Sequence, residues 1–201
     1  MPRYSACFGV QELRKVRGAR EFTGRRVESD GIMPELKRKT AYEKVVKILE
    51  EKGVSCLLHE HEATRTVEEA ERNLSFDVTR LVKTVAFQTR DGALVLAALR
   101  GIRRVDYARL AGLLGINRRD LFALSPEQVR ERLGVEPGSV SPLSLMPGTL
   151  VLIDNDVLAI HPTLYCGTGR PDRTLELTAH DLVRAAGARV GDFSRRKERN
   201  S

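Results

Sequence analysis

From Thr40 onward, apolar positions recur at helical spacing or alternate at strand spacing, with clear punctuation between segments. Thr40 and Glu43 stand three apart ahead of an apolar face of Val45, Val46 and Leu49, and Gly53 follows. That pattern predicts a capped helix with a glycine stop. Thr66 with Glu69 starts a second, short helix. Ser125, Pro126 and Gln128 start another, with proline at its first position and Gly134 at its end. Thr178 with Asp181 opens a last helix that stops near Gly187, and one more runs over about 106–114. Strands are expected at 54–59, 82–89, 93–99, 150–153, 157–161 and 174–177. "VKTVAFQTRDGALVLAAL" reads as a hairpin turning at Asp91-Gly92, and "LVLIDNDVLAIH" as a second one turning at Asp154-Asn155-Asp156. Hairpins pair strands antiparallel, so the fold class is α+β and not a doubly wound parallel sheet.

The first 32 residues show no sustained apolar periodicity. The regular pattern begins at Met33, a candidate translational start. An Arg-rich transit peptide is the competing reading, opposed by Glu12, Glu21, Glu28 and Asp30. The expected division is a disordered basic extension over 1–38, a globular domain over 39–190 and a basic tail over 191–201. No apolar run approaches the roughly 20 residues needed to cross a bilayer. The cysteines Cys7, Cys56 and Cys166 form no CxxC, which fits a reducing, cytoplasmic setting. Charge changes this picture in one respect. The net +7 lies wholly in the two ends, because residues 41–190 hold equal numbers of acids and bases. Within that span, residues 100–132 carry an arginine stripe that suits either a phosphate backbone or a solvated face of local ion pairs.

Familiar catalytic signatures are absent: there is no GxSxG, HExxH or Walker A loop. His59 and His61 share a strand face but lack a third metal ligand at suitable spacing. Cys166 with His161 forms a nominal nucleophile–base pair, against which stands a structural cysteine. "CGTGR", with Gly167 and Gly169, reads as an anion loop or a hairpin turn, and the missing strand–loop–helix context favours the turn. Lys83 interrupts an apolar strand, facing either outward or onto a cavity floor where its point charge would hold a phosphate or ribose. "GVEPGSVSPLSLMPG", residues 134–148, has a single charged side chain. Such a loop is either a plain connection or a surface of backbone N–H donors, with Gly138 admitting a ligand to its main chain.

Together these segments resemble the YbaK/ProX family of aminoacyl-tRNA deacylases, relatives of the editing domain inserted in bacterial prolyl-tRNA synthetases. The resemblance runs in order over about 41–187. It is carried by "TRTVEEAE", "VKTVAF", "GALVLAALRGIRRVDYARLAGLLG", "LSPEQVRERLGVEPGSVSP" and "VLIDNDVLAIHPTLYCGTGRPDRTLELTAHDL". It implies a compact fold around a mixed, largely antiparallel sheet surrounded by helices. It also implies hydrolysis of the ester joining a wrong amino acid (Cys, Ala or Ser) to a tRNA, most often that for proline, without metal or cofactor. By position, Lys83 would bind the terminal adenosine or its phosphate. The backbone at Gly138 and Ser139 would hold the scissile carbonyl, and Thr66, Pro142, His161, Gly167 and Gly169 would line the substrate site. The implied partners are a mischarged aminoacyl-tRNA and an aminoacyl-tRNA synthetase, with no membrane. Thr84 after Lys83 follows the Cys-deacylating branch, whereas Ile160-His161-Pro162 leans toward the Ala-deacylating one, so the amino acid removed stays open. Two other readings also stay open: a silent tRNA- or synthetase-binding module on this fold, and nucleic-acid binding through the basic ends.

Overall fold

The computed structural model describes residues 5–6, 40–63, 77–143 and 146–196. Along the chain run β1 (Ser5–Ala6), α1 (Ala41–Glu51), β2 (Leu57–Glu60), β3 (Leu81–Thr89), β4 (Leu94–Arg100), β5 (Arg103–Val105), α2 (Tyr107–Leu114), β6 (Leu121–Ala123) and α3 (Pro126–Leu133). There follow β7 (Leu150–Asp154), α4 (Asn155–Leu158), β8 (Leu164–Gly167), β9 (Arg173–Leu177), α5 (Ala179–Ala186), β10 (Arg189–Gly191) and β11 (Ser194–Arg196). The main sheet has the order β1-β2-β9-β8-β3-β4-β7-β10, with β6 also on β3, and β5 pairs with β11 in a separate ribbon. Most pairs are antiparallel; β3–β8, β4–β7 and β7–β10 are parallel. The α+β expectation holds.

The helix punctuation acts as its spacing predicts. Thr40 Oγ1 accepts from Glu43 N, and Glu43 Oε2 accepts from Thr40 N at 2.7 Å, closing a capping box. Ser125 and Gln128 close another at α3. Thr178 caps α5, and Asp106 caps α2 through Ala108 N and Arg109 N. The helix expected from Thr66 lies outside the described residues.

The second hairpin does not form. After β7 the chain turns into α4, because the Asp154 carboxylate accepts from Asp156 N at 3.2 Å and starts a helix where a turn was expected. Val157 and Ile160 then fall three apart on one side and bury in the core. β7 pairs parallel with β4 instead of returning on itself.

The two halves of the sheet are covered differently. In the β3–β4–β7 half, Phe87, Val95, Ala97, Leu99 and Leu152 pack on one face against Leu110 and Ala111 of α2 and against Phe193. Ala86, Leu96 and Val151 pack on the other against Val129, Val135 and Val140. In the β2–β9–β8 half, Leu164, Cys166, Leu175 and Leu177 join Val82 against Val45 and Leu49 of α1 and Leu182 of α5. The opposite face of that half carries Tyr165, Glu176, Thr174 and His59, which the register places side by side.

Candidate active site

Strand β3 has β4 along one edge from Val82 to Gln88. Its other edge is shared: β8 pairs only at Leu81 and Val82, and β6 only from Phe87 to Thr89. Between them, over 83–86, no described strand pairs with that edge, which receives a bond from Leu124 N to Ala86 O at 2.9 Å. The loop after α3 fills this break. Val140 packs with Ala86, while the backbone of Ser139 and Val140 lies against Gly167 at the end of β8. A Cβ on Gly167 would stand 2.8 Å from Val140 O and 3.0 Å from Ser139 O, so only glycine admits the loop so close. Gly169 N–H donates to Ser139 O at 2.8 Å and ties the "CGTGR" turn to the same loop.

Gly138 is exposed at φ 89°, a conformation open to glycine, whereas Ser139, Val140, Ser141 and Pro142 are buried. The Ser139 N–H closes the turn onto Glu136 O at 3.0 Å. Among the described residues, the N–H groups of Gly138 and Val140 donate to no protein acceptor. The Ser139 hydroxyl, in a side chain 2% exposed, likewise has no hydrogen-bond partner, nor has the buried Thr84 hydroxyl.

Lys83 lies one step along β3 from the Val82–Cys166 pair, and so beside Gly167. Alternation puts it on the face of Tyr165 and Glu176, which along β3 is also the face of Phe87, and on the opposite side from the Val82–Cys166 core. It is half-buried, and its Nζ donates to Gly101 O at 2.8 Å, which anchors the ammonium at the β4–β5 turn. Gly138's loop, Gly167 and Gly169 therefore meet at the break along β3, and Lys83 stands on that strand with its ammonium turned to the β4–β5 side. His161 is exposed on the α4–β8 connection, and Thr66 lies outside the described residues.

Beside Lys83, on its face of the sheet, is a polar cluster that sequence reasoning missed. His59 Nε2 and Glu176 Oε2 are 2.6 Å apart, and Thr163 Oγ1 donates to Glu176 Oε1. Arg80 donates to Thr163 Oγ1 at 2.8 Å and to the Tyr165 hydroxyl, with its guanidinium 4.5 Å from that ring's centre. Burial pushes the Glu176 carboxyl up, but hydrogen bonds from Thr163 and His59, with the charges of His59 and Arg80, outweigh it and hold the group below the usual glutamate range. Burial and the neighbouring Glu176 charge raise the Tyr165 phenol. The signal was present in "LYCG" and "TLELT", where polar groups alternate with the apolar positions of β8 and β9.

Two other sequence candidates find structural roles. His61 Nε2 bonds Thr174 Oγ1 at 2.8 Å and His59 bonds Glu176, so both histidines tie β2 to β9. Cys166 is 1% exposed in the core, where burial pushes its thiol far above the usual range, leaving no nucleophilic thiolate. On the loop's other flank, a shallow open recess is lined by Leu96, Leu133, Val135, Val140, Ser141, Met146 and Thr149. None of these lining residues is titratable.

Comparison with known proteins identifies the family. Residues 61–185 match the model of the aminoacyl-tRNA editing domain. A proline–tRNA ligase of Xanthomonas axonopodis pv. citri is 33% identical over 96 residues, spanning 48% of this chain and 16% of the ligase. The uncharacterized protein YwhH of Bacillus subtilis is 25% identical over 128 residues, 64% of this chain and 79% of that protein. A solved structure described as a candidate trans-editing enzyme for prolyl tRNA synthetase superposes with a TM-score of 0.65 at 28% identity, covering 78% of this chain and 98% of that one. The chain spans under a fifth of the length of the curated ligases it matches. With the family model covering well over half of its residues, the chain belongs to the aminoacyl-tRNA editing domain family.

Proposed function

We propose that this protein is a free-standing trans-editing deacylase that hydrolyses the ester of a mischarged tRNA, with Cys-, Ala- or Ser-tRNA for proline as the substrate class. The observation that carries the reading is the pair of amides at Gly138 and Val140. They donate to no protein acceptor among the described residues and border the break in the sheet beside Lys83. Water attacks the ester carbonyl, and the negative charge that develops on its oxygen is held by the Gly138 backbone and its neighbours. The bond to the ribose oxygen then breaks, and that oxygen takes a proton as the amino acid leaves with the hydroxyl of water. Lys83 holds the terminal adenosine or its phosphate as a fixed positive charge. Pro142 and Ser139 fix the loop, Gly167 and Gly169 admit it, and Thr66 and His161 shape the amino-acid pocket.

The test is deacylation of Cys-, Ala-, Ser- and Pro-tRNA for proline by the wild type, Gly138→Ala and Lys83→Ala. One mischarged species is expected to be lost quickly while Pro-tRNA is spared. Gly138→Ala should lose roughly a hundredfold or more in rate, because the side chain both crowds the carbonyl and disfavours the positive φ that orients the amide. Lys83→Ala should weaken use of the tRNA. Near-wild-type turnover by both folded variants overturns this site. Hydrolysis of none of the species, with tRNA still bound, identifies a silent binding module instead.

A further inference from the structure

The last described strand is not a loose end of the chain. Phe193 is fully buried in the core beneath α2, and its carbonyl accepts from Asp106 N at 2.7 Å. The carboxylate of Asp154, 2% exposed, accepts from Phe193 N at 2.9 Å, Ser194 N at 2.7 Å and Ser194 Oγ at 2.8 Å. This anchor holds β11 against β5 in a two-stranded ribbon whose register pairs Arg195 with Arg104 and Arg196 with Arg103. Val105 points into the core, so alternation turns Arg104 and its cross-strand partner Arg195 outward together, and both are exposed. Among the described residues neither Arg104 nor Arg196 has a carboxylate partner, whereas Arg103 is ion-paired to Asp156. The chain thus fixes Arg104 and Arg195 side by side on the outer face of a deeply anchored ribbon.

The position of the ribbon adds a second argument. β5 begins two residues after Gly101, the residue whose carbonyl receives Lys83 Nζ. Ile102, at the tip between them, is 51% exposed. A polyanion whose end reached Lys83 would meet the ribbon next to it, and its phosphates would find guanidinium groups on both strands. Guanidinium groups suit this partner because their donors match phosphate oxygens two at a time.

We propose that the β5–β11 ribbon, through Arg104 and Arg195 with Arg196 beside them, docks the phosphate backbone of the tRNA acceptor stem while the aminoacylated end enters at Lys83. The proposal rests on the deacylase reading for the placement of that end, but its binding readout is separate. The double variant R104Q/R195Q is compared with the wild type in three assays: deacylation of mischarged tRNA, hydrolysis of a small aminoacyl-adenosine ester that has no stem, and binding of uncharged tRNA across a salt series. The expected result is a KM for tRNA raised roughly tenfold at about 150 mM salt with kcat unchanged. The small ester should be hydrolysed as by the wild type, and the log–log salt slope should shrink by about 1 for each arginine. The charge-keeping R104K/R195K should restore most of that slope. The control R90Q/R184Q, which removes two exposed arginines elsewhere, should leave it unchanged.

An R104Q/R195Q protein with wild-type KM and wild-type slope overturns the docking surface and leaves the deacylase reading intact. An equal loss in R90Q/R184Q overturns it as well, by showing only an effect of net charge. If the wild type hydrolyses no ester, the deacylase reading falls, and the salt slope of uncharged tRNA alone decides the ribbon.

Discussion

The two halves of the main sheet follow opposite rules. In the β3–β4–β7 half both faces are buried, and β4 is apolar over nearly its whole length, with Leu94 through Leu99 all buried. In the β2–β9–β8 half one face is as apolar, but the other carries Lys83's neighbours Tyr165, Glu176, Thr174 and His59, held together by side-chain hydrogen bonds. The first half is a platform whose stability comes from burial. The second keeps a polar face available for chemistry, and β3 belongs to both. The break along the edge of β3 lies where the two regimes meet, and there the Gly138 loop enters. Charged and hydrogen-bonding groups can be held in fixed geometry on such a sheet because the apolar face behind them supplies the stability they do not.

The comparison is broken most strongly by cutting the platform. Phe87→Ala removes a fully buried ring that also packs edge-on against Tyr107 at 5.3 Å, and should cost about 3–5 kcal/mol in denaturant unfolding. Gly167→Ala acts at the boundary. Its new methyl would meet backbone and not a flexible side chain, so the Ser139–Val140 segment must move, at an expected cost of roughly 1–3 kcal/mol. Deacylation should fall much further than stability does, and a variant with unchanged turnover would separate the loop's position from catalysis.

The smallest effect concerns the polar face itself. Glu176 titrates lower when folded than its ordinary value of 4.5. Its contribution to stability is therefore complete above the unfolded value and is lost as the pH falls through the lower folded one. The acid limb of a stability–pH curve should flatten in Glu176→Gln, with a cost at neutral pH of about 1–2 kcal/mol. An unchanged acid limb would mean that the cluster of His59, Arg80 and Thr163 does not hold the carboxylate's charge.

Much of this was legible in the sequence. The capping boxes at Thr40 and Ser125, the cap at Thr178 and the Asp91-Gly92 hairpin are local events, each fixed by side chains within four residues of the backbone they satisfy. The five ordered segments from "TRTVEEAE" to "TLELTAHDL" were enough to point to the editing-domain family. Asp154 shows the limit. Its spacing to Asp156 suits a turn, but its carboxylate is claimed by Phe193, Ser194 and the start of α4, and two of those partners lie about forty residues away. For the same reason residues 194–196, which read as a basic tail, are a strand: what makes them one is the distant β5 and the buried Phe193.

Sequence alone determined the local elements, the α+β class and the residue types at Lys83 and Gly138, because turn chemistry and apolar periodicity act over a few residues. The tertiary structure decided which strands run parallel, where the sheet parts along β3, which face Lys83 shares with Glu176, and that Arg104 and Arg195 stand opposite each other. Those are matters of register between segments far apart in the chain, and register is set by packing across the whole sheet and not by any one stretch within it.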